Sequence, residues 1–325
     1  MVAGVVVFIE REGDRPARAS LEVLGEGRLI ASTLGAPLVA VTAGPPDADA
    51  RDDRDALGRR GADRVVALRG AALGAPTAWQ PHGAALYDAI EPARPLLILM
   101  AATPAGRDIA PRLAARLGGA FVAEPSIECG PRGDLVLSRP LFHARWLRRL
   151  TVTEIDRPVV ATVSTGAFAP SRGRAGDAQL QWIDVPVRAA APLAVLDETD
   201  DDGADLDRAT VVVTVGAGVR SDRDVALVRD LAERLGGAFG ATGSACAAGL
   251  APRSREVGVG ARHVAPRLYV ACAASGSLAH LGAVAADAEI VAINTDPAAP
   301  IFRVASYGVI GPVGDVVPAL IEAVP

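Results

Sequence analysis

The chain has 325 residues, with 33 basic against 38 acidic side chains and a formal net charge of −5. A mildly acidic chain has no general attraction to nucleic acid or anionic lipid, so neither is expected as a partner. Every basic residue other than histidine is arginine, which excludes a Schiff-base or phosphate-loop lysine. Cys129, Cys246 and Cys272 are too few and too widely spaced for a disulfide framework, which fits a reducing, cytoplasmic setting.

In the first half, short apolar runs alternate with helical patterns, and this alternation is typical of an α/β fold. Predicted strands cover residues 5–9, 37–42, 64–68, 96–100, 121–127, 135–140, 144–152 and 158–163. Helical spacing predicts helices over residues 21–34 and 108–117. The apolar run that begins at Leu96 is far shorter than the roughly 20 residues that span a bilayer.

The composition changes between Val185 and Arg208, where Ala, Pro and Asp dominate and an acidic run indicates a solvated connector. We therefore predict an N-terminal α/β domain over residues 1–185, a linker over 186–208 and a C-terminal domain over 209–325. In the latter, strands are predicted over residues 210–215, 268–271 and 290–294, and helices over 222–235, 276–286 and 313–323. The predicted fold class is α/β, with two parallel-sheet domains of Rossmann-like or flavodoxin-like type.

A glycine turn, Gly216-Ala217-Gly218, follows a predicted strand and precedes a predicted helix. The nicotinamide-dinucleotide fingerprint requires a third glycine where this chain has Ser221, and an acidic residue about 20 positions later that is missing from residues 236–241. A tight turn and a ligand-binding role both remain open for this segment. The small-residue stretch 240–249 is better explained by close packing than by ligand contact.

Polar or small residues follow three predicted strands, after Val215, Ala271 and Ile293. The carboxyl ends of parallel strands are where α/β proteins bind ligands. Residues 275–277 should present amides and hydroxyls at the start of a helix, with His280 one to two turns later. Because no Ser-His-Asp order, carboxylate pair or metal spacing is present, we expect a domain that holds a ligand.

Three segments of the second half resemble the C-terminal FAD domain of the electron transfer flavoprotein α subunit: residues 264–270 (VAPRLYV), 275–280 (SGSLAH) and 290–308 (IVAINTDPAAPIFRVASYG). In the first half, residues 106–117 are similar to the α/β domain of the same family. The resemblance implies an electron carrier that holds FAD and forms a heterodimer with a β subunit. It also implies dehydrogenases as donors, and a membrane-bound quinone reductase or another protein as acceptor.

The resemblance extends to individual cofactor residues. Ser275, Gly276 and His280 match a Ser-Gly-Ala-Ile-Gln-His segment, whose histidine would offer a donor or a positive charge to the pyrimidine end of the reduced flavin. Asn294 matches an asparagine on the phosphate and ribose side, and Gly258 matches a glycine of a V-G-Q-T loop. The predicted cofactor-binding residues are Thr242, Gly258, Ser275, Gly276, Ser277, Leu278, Ala279, His280, Asn294 and Asp296.

The chain departs from the family pattern at the three middle positions of the segment 275–280, Ser277, Leu278 and Ala279, and at five further positions. Ala217 and Gly243 stand where the family has arginines, Val259-Gly260 replaces Gln-Thr, and Pro312 replaces an aspartate. The loss of charge predicts weaker FAD binding and a lower flavin potential.

Two hypotheses therefore remain open. The chain is either a divergent electron carrier serving one specialised dehydrogenase system, for which the lineage associated with mycofactocin redox metabolism is one candidate, or a flavin-free structural or docking subunit of a β partner. A hydrolase is disfavoured because the chain has no nucleophile-elbow motif.

Overall fold

The computed structural model describes residues 4–47, 51–130, 134–141, 146–152, 157–164, 178–186 and 203–323. The chain divides into two compact units, Met1–Val195 and Leu196–Pro325. Among the described helices, none combines the length and the apolar character that crossing a membrane requires.

The first unit is built on a parallel seven-stranded sheet. The strands of the unit, including those outside this sheet, are β1 (Val5–Ile9), β2 (Arg11–Glu12), β3 (Arg15–Pro16), β4 (Leu38–Gly44), β5 (Arg64–Arg69), β6 (Leu97–Ala101), β7 (Ala120–Ala123), β8 (Ser126–Cys129), β9 (Leu135–Leu141), β10 (Trp146–Thr151), β11 (Val159–Val163) and β12 (Gln179–Asp184). The helices are α1 (Arg18–Leu34), α2 (Arg51–Gly58), α3 (Trp79–Ile90) and α4 (Pro104–Arg116). The large sheet has the order β12-β5-β4-β1-β6-β11-β7, and a separate antiparallel sheet has the order β10-β9-β8.

The central strands of the first unit are apolar because helices cover both faces of the sheet. Every residue of β1, β6 and β11 is buried, as expected for parallel strands inside an α/β layer. Two of the sequence-predicted elements are corrected. The helix predicted over 108–117 begins at Pro104, since Thr103 caps it and proline suits the first helical position. The strand predicted over 121–127 is two strands, because Glu124 adopts a φ of 50°.

The second unit is built on a parallel six-stranded sheet. Its strands are β13 (Val211–Val215), β14 (Ala238–Thr242), β15 (Glu256–Val257), β16 (Leu268–Cys272), β17 (Glu289–Asn294) and β18 (Tyr307–Ile310), and its helices are α5 (Asp222–Arg234), α6 (Gly243–Ala247), α7 (Leu278–Leu281) and α8 (Val313–Ala323). The sheet order is β15-β14-β13-β16-β17-β18. Counted within the unit, this is the 3-2-1-4-5-6 order of a doubly wound nucleotide-binding sheet. The two parallel sheets confirm the predicted fold class.

One helix of the second unit was predicted wrongly. The helix expected over residues 276–286 is a single turn, because Gly276 has a φ of 80° and the chain after α7 bonds elsewhere. The Val264 N–H donates to the Ala283 carbonyl, and the Ala285 N–H donates to the Val264 carbonyl. Of the predicted linker 186–208, residues 187–202 lie outside the described part of the chain. Residues 144–145 of a predicted strand also lie outside it.

Candidate functional site

The centre of the six-stranded sheet forms a crevice between β13 and β16. The chain leaves β13 through Gly216–Gly218 and leaves β16 through Ala273–Ser277. Since the strand order reverses between these two strands, their loops diverge and open the crevice in which doubly wound sheets bind ligands. The loops touch at the base, where the Gly216 N–H donates to the Cys272 carbonyl (2.8 Å) and the Gly218 N–H to the Ala273 carbonyl (3.2 Å).

A cavity of about 300 Å³ occupies this crevice. This volume is at the lower end of the range for small-molecule sites, which is roughly 300–1,000 Å³. Its lining residues come from the carboxyl ends of β13, β14, β16 and β17 and from the segments that follow them. They are Ala217, Gly218, Thr242, Ser244, Ala273, Ala274, Ser275, Gly276, Ser277, His280, Asn294, Asp296, Ala299 and Pro300.

The cavity brings together part of the predicted cofactor set. Its walls include the predicted residues Thr242, Ser275, Gly276, Ser277, His280, Asn294 and Asp296. Gly258, Leu278 and Ala279 are not among the lining residues. Leu278 is 70% exposed, and the Ala279 carbonyl accepts a hydrogen bond of 2.7 Å from the Val259 N–H beside Gly258.

The site prediction missed several lining residues, including Ser244, Ala299 and Pro300. Ser244 was missed because the small-residue stretch 240–249 was attributed to close packing, and the strand β14 that leads into it was not recognised. Ala217 and Gly218 belong to the glycine turn for which the sequence left a tight turn and a ligand-binding role open, and the strand before them was the available signal. Ala299 and Pro300 carry no such signal, since they reach the cavity only through the fold of the segment after β17.

Small residues are required where the two loops approach each other. A Cβ at Gly216 would overlap the carbonyl oxygen of Ala273 and lie 2.5 Å from the Ala274 Cα. A Cβ at Gly276 would lie 2.6 Å from the Ile301 backbone, and the φ of Gly276 is 80°. Ala273 itself has a φ of 53°, which is strained for a residue with a side chain. The glycines therefore allow the loops to pack closely, and the cavity is the space that remains between them.

Asn294 holds the end of β17 against the loop that follows β16. Its Nδ2 donates to the Ala274 carbonyl (2.9 Å), and its Oδ1 accepts from the Asp296 N–H (3.0 Å). The Asp296 carboxylate in turn accepts from the Ala298 N–H (2.9 Å). Both ends of the Asn294 amide are thus bonded within the protein, so this side chain shapes the wall of the cavity.

His280 is held by two hydrogen bonds inside the protein. The side chain is 4% exposed, with Nδ1 3.1 Å from the Val257 carbonyl oxygen and Nε2 2.9 Å from the Tyr269 hydroxyl. Burial lowers the pKa of His280 below its ordinary value of 6.5, and the Val257 carbonyl opposes part of this shift. Burial therefore favours the neutral ring, so of the donor or the positive charge that the resemblance implies at this position, the geometry does not favour the charge.

The N-terminus of α5 explains why the dinucleotide fingerprint is absent. Ser221, at the position of the missing third glycine, is the N-cap and accepts from the Asp224 N–H (3.1 Å). Asp222 and Asp224 lie in the first turn, where their carboxylates complement the helix dipole. This helix end is satisfied by its own residues and does not require a bound phosphate.

The corresponding crevice of the first unit lies between β1 and β6. The Glu10 side chain stands there, 9% exposed, and its carboxylate accepts a hydrogen bond of 2.6 Å from the Thr103 hydroxyl. Burial raises the pKa of Glu10, and the hydrogen bond from Thr103 opposes this. The two crevices therefore differ, since that of the second unit is lined with small residues and that of the first unit contains the buried Glu10 side chain.

The charges of the residues around the second-unit cavity limit which ligands it can bind. Among its described lining residues, none is Arg or Lys, and Asp296 carries the formal charge. At Gly243, a Cβ would lie 2.6 Å from a Glu256 oxygen, and Glu256 pairs with Arg253 at 2.8 Å. Serine and threonine hydroxyls and backbone amides remain as donors. The cavity therefore offers a ligand neutral hydrogen-bond donors and no positively charged side chain among its described lining residues.

Comparison with known proteins covers nearly the whole chain. The family model described as the electron transfer flavoprotein domain matches residues 5–189, and the model of the electron transfer flavoprotein FAD-binding domain matches residues 205–285. FAD is thus the cofactor associated with the unit that contains the cavity.

Curated relatives agree with these domain matches. The protein FixB of Clostridium saccharobutylicum is 32% identical over 98% of this chain and 95% of its own length. The electron transfer flavoprotein subunit alpha of Clostridium acetobutylicum is 31% identical over 99% of this chain and 96% of its own. The LctC subunit of a lactate dehydrogenase (NAD(+),ferredoxin) from Acetobacterium woodii is 29% identical over 99% of this chain and 77% of its own. The chain belongs to the electron transfer flavoprotein α-subunit family.

Proposed function

We propose that this chain is the FAD-binding α subunit of a heterodimeric electron carrier. Members of the family act in electron transfer and pair with β subunits. The observation that supports this proposal is the cavity between β13 and β16, since most of its lining residues lie within residues 205–285, which match the FAD-binding domain. In this proposal the carrier accepts electrons from dehydrogenases and passes them to a quinone reductase or another acceptor.

The cofactor-binding role is assigned to the second unit. We place FAD in residues 209–325 and the β-subunit contact in residues 1–185, joined by the linker 186–208. The loop after β16 would offer its amides and the Ser275 and Ser277 hydroxyls to the phosphates, because hydroxyls and amides are the donors available there. A dinucleotide is larger than a drug-sized ligand, so it would extend beyond a 300 Å³ cavity onto the exposed rim.

A second function has one observation in its favour. No arginine or lysine is present among the described residues that line the cavity. In addition, Glu256 lies beside Gly243, the position at which the family has an arginine. Charge-assisted hydrogen bonds are the strong ones, so a cofactor held without them is bound more weakly. This favours a subunit that docks onto a β partner without flavin.

One preparation distinguishes the two functions. The chain is co-expressed with its β partner, and the purified complex is assayed for visible absorption and for FAD released on denaturation. A yellow complex with stoichiometric FAD, reducible by a dehydrogenase and reoxidised by an acceptor, is expected. A colourless and well-folded complex that added FAD does not reconstitute would favour the docking subunit.

A further inference from the structure

The Tyr269–His280 pair is a buried polar contact beside the cavity that the comparisons leave unexplained. Tyr269 is fully buried on β16, and the centroids of the two rings lie 5.7 Å apart. Its hydroxyl is 2.9 Å from His280 Nε2, while the opposite ring nitrogen faces the Val257 carbonyl at 3.1 Å. His280 also lines the cavity, so the state of its ring sets the charge of that wall.

The two partners determine which nitrogen carries the proton. A carbonyl oxygen can only accept, so Nδ1 must be protonated to bond with Val257. In a neutral imidazole Nε2 then accepts, and the Tyr269 hydroxyl donates to it. The single N–H of the ring is directed at Val257, which leaves no ring N–H for a ligand.

In the described part of the chain, the hydrogen-bond partners of the His280 ring are the Tyr269 hydroxyl and the Val257 carbonyl, and neither is charged. Tyr269 and Cys272 on β16 are buried, and burial raises the pKa of the tyrosine and brings that of the thiol to about 12. On β15, Glu256 pairs with Arg253, and across the cavity the Asp296 carboxylate accepts from a backbone N–H. On β13, the Thr214 hydroxyl donates to the Val270 carbonyl (3.2 Å).

We propose that Tyr269 is a positioning residue that holds His280 as a neutral imidazole in its Nδ1–H tautomer, so that this wall presents no positive charge to bound FAD. The part concerning FAD rests on the proposed function. The part concerning the tautomer does not, because it follows from the contacts of the protein alone.

The tautomer is read directly from ¹⁵N-histidine spectra of the full-length chain. The sequence contains four histidines, and comparison with the spectrum of a His280→Gln variant identifies the signals of His280. At pH 7 we expect a protonated Nδ1 and an unprotonated Nε2, and we expect His280 to titrate at a lower pH than an exposed histidine. An imidazolium or an Nε2–H tautomer at pH 7 would overturn the proposal, and this spectrum requires no variant of Tyr269.

Tyr269→Phe removes the donor to Nε2 while it keeps the ring. The His280 pKa should rise by about 0.5–1 unit, because one hydrogen bond to the neutral form is lost. Tyr307→Phe is the matched control, since Tyr307 is 63% exposed on β18. A His280 titration in Tyr269→Phe that coincides with that of the control would refute a positioning role.

The flavin potential tests the consequence for the cofactor. Midpoint potentials of the FAD-loaded heterodimer and of its His280→Gln variant are measured at pH 7 and pH 8. A neutral histidine predicts the same difference between the two proteins at both pH values, and a difference that changes with pH contradicts the proposal. A colourless complex would count against the proposed function, while the ¹⁵N result would still decide the tautomer.

Discussion

The approach of the two switch-point loops makes Gly216 the most sensitive position of the candidate site. In Gly216→Ala the new Cβ would lie 2.5 Å from the Ala273 carbonyl carbon. An ordinary van der Waals contact begins near 3.4 Å, so the loops must separate by about 1 Å. Ala273 resists this movement, because its N–H donates to the Ile293 carbonyl at 2.7 Å. Overpacking of this kind costs roughly 1–3 kcal/mol.

The assay can assign this loss to the second unit. Trp79, Trp146 and Trp182 are the three tryptophans of the chain, and all lie in the first unit. During urea unfolding, tryptophan fluorescence therefore follows the first unit, while far-ultraviolet circular dichroism follows both. With an m-value of roughly 2 kcal/mol/M, the midpoint of the second unit should fall by about 0.5–1.5 M, while the fluorescence midpoint stays unchanged.

FAD binding should weaken in the same variant, because the displaced loop lines the cavity. We expect about a tenfold loss of affinity, which corresponds to roughly 1.4 kcal/mol, measured by quenching of FAD fluorescence. Gly218→Ala is the matched control from the same turn, since its Cβ would lie 2.9 Å from the Ala273 oxygen and needs a smaller adjustment. Equal effects of the two substitutions, or no change in the second-unit midpoint, would refute the reasoning.

Three further substitutions test other contacts of the two units. Ala273→Gly should stabilise the second unit by about 0.5–1 kcal/mol in the dichroism transition, because relief of the strain at φ 53° exceeds the added entropy of the unfolded chain; a lower midpoint would contradict this. Glu10 has a pKa raised by burial, so the folded state keeps its proton to higher pH than the unfolded state, and the stability of the first unit falls as pH rises through the raised pKa. Glu10→Gln should reduce that fall in the fluorescence midpoint between pH 4.5 and 8, leaving the part that comes from Glu26, whose pKa is also raised by burial; an unchanged pH profile would exclude Glu10 as a source. Asn294→Ala removes the tie to the Ala274 carbonyl and should cost the second unit about 1–3 kcal/mol and weaken FAD binding, whereas wild-type affinity would show that the tie is dispensable.

Long, strongly patterned elements of this chain were predictable from the sequence. The apolar runs at 5–9 and 159–163 are strands because a parallel strand covered on both faces has no polar positions, and this requirement is visible in the residue order. The helix over 313–323 has the predicted bounds for a similar reason, since its apolar residues recur with helical spacing. These signals are local, and they were sufficient for the α/β class and for two parallel sheets.

The remaining features depend on contacts between distant segments. β14 contains small residues that any packed element could use, and only pairing with β13 makes it a strand. The helix expected after Gly276 is one turn, because its backbone groups bond to Val264.

The sequence by itself determined the fold class and indicated which strand ends carry the site, because hydrophobic periodicity and strand-end composition are local properties. Only the tertiary structure brings His280 to the groups that influence its protonation. The family resemblance implied a charged or donating histidine, whereas burial beside Tyr269 and the Val257 carbonyl favours a neutral ring. The protonation of a side chain depends on the groups that surround it, and Tyr269 and Val257 reach His280 only when β15 and β16 assemble in the sheet.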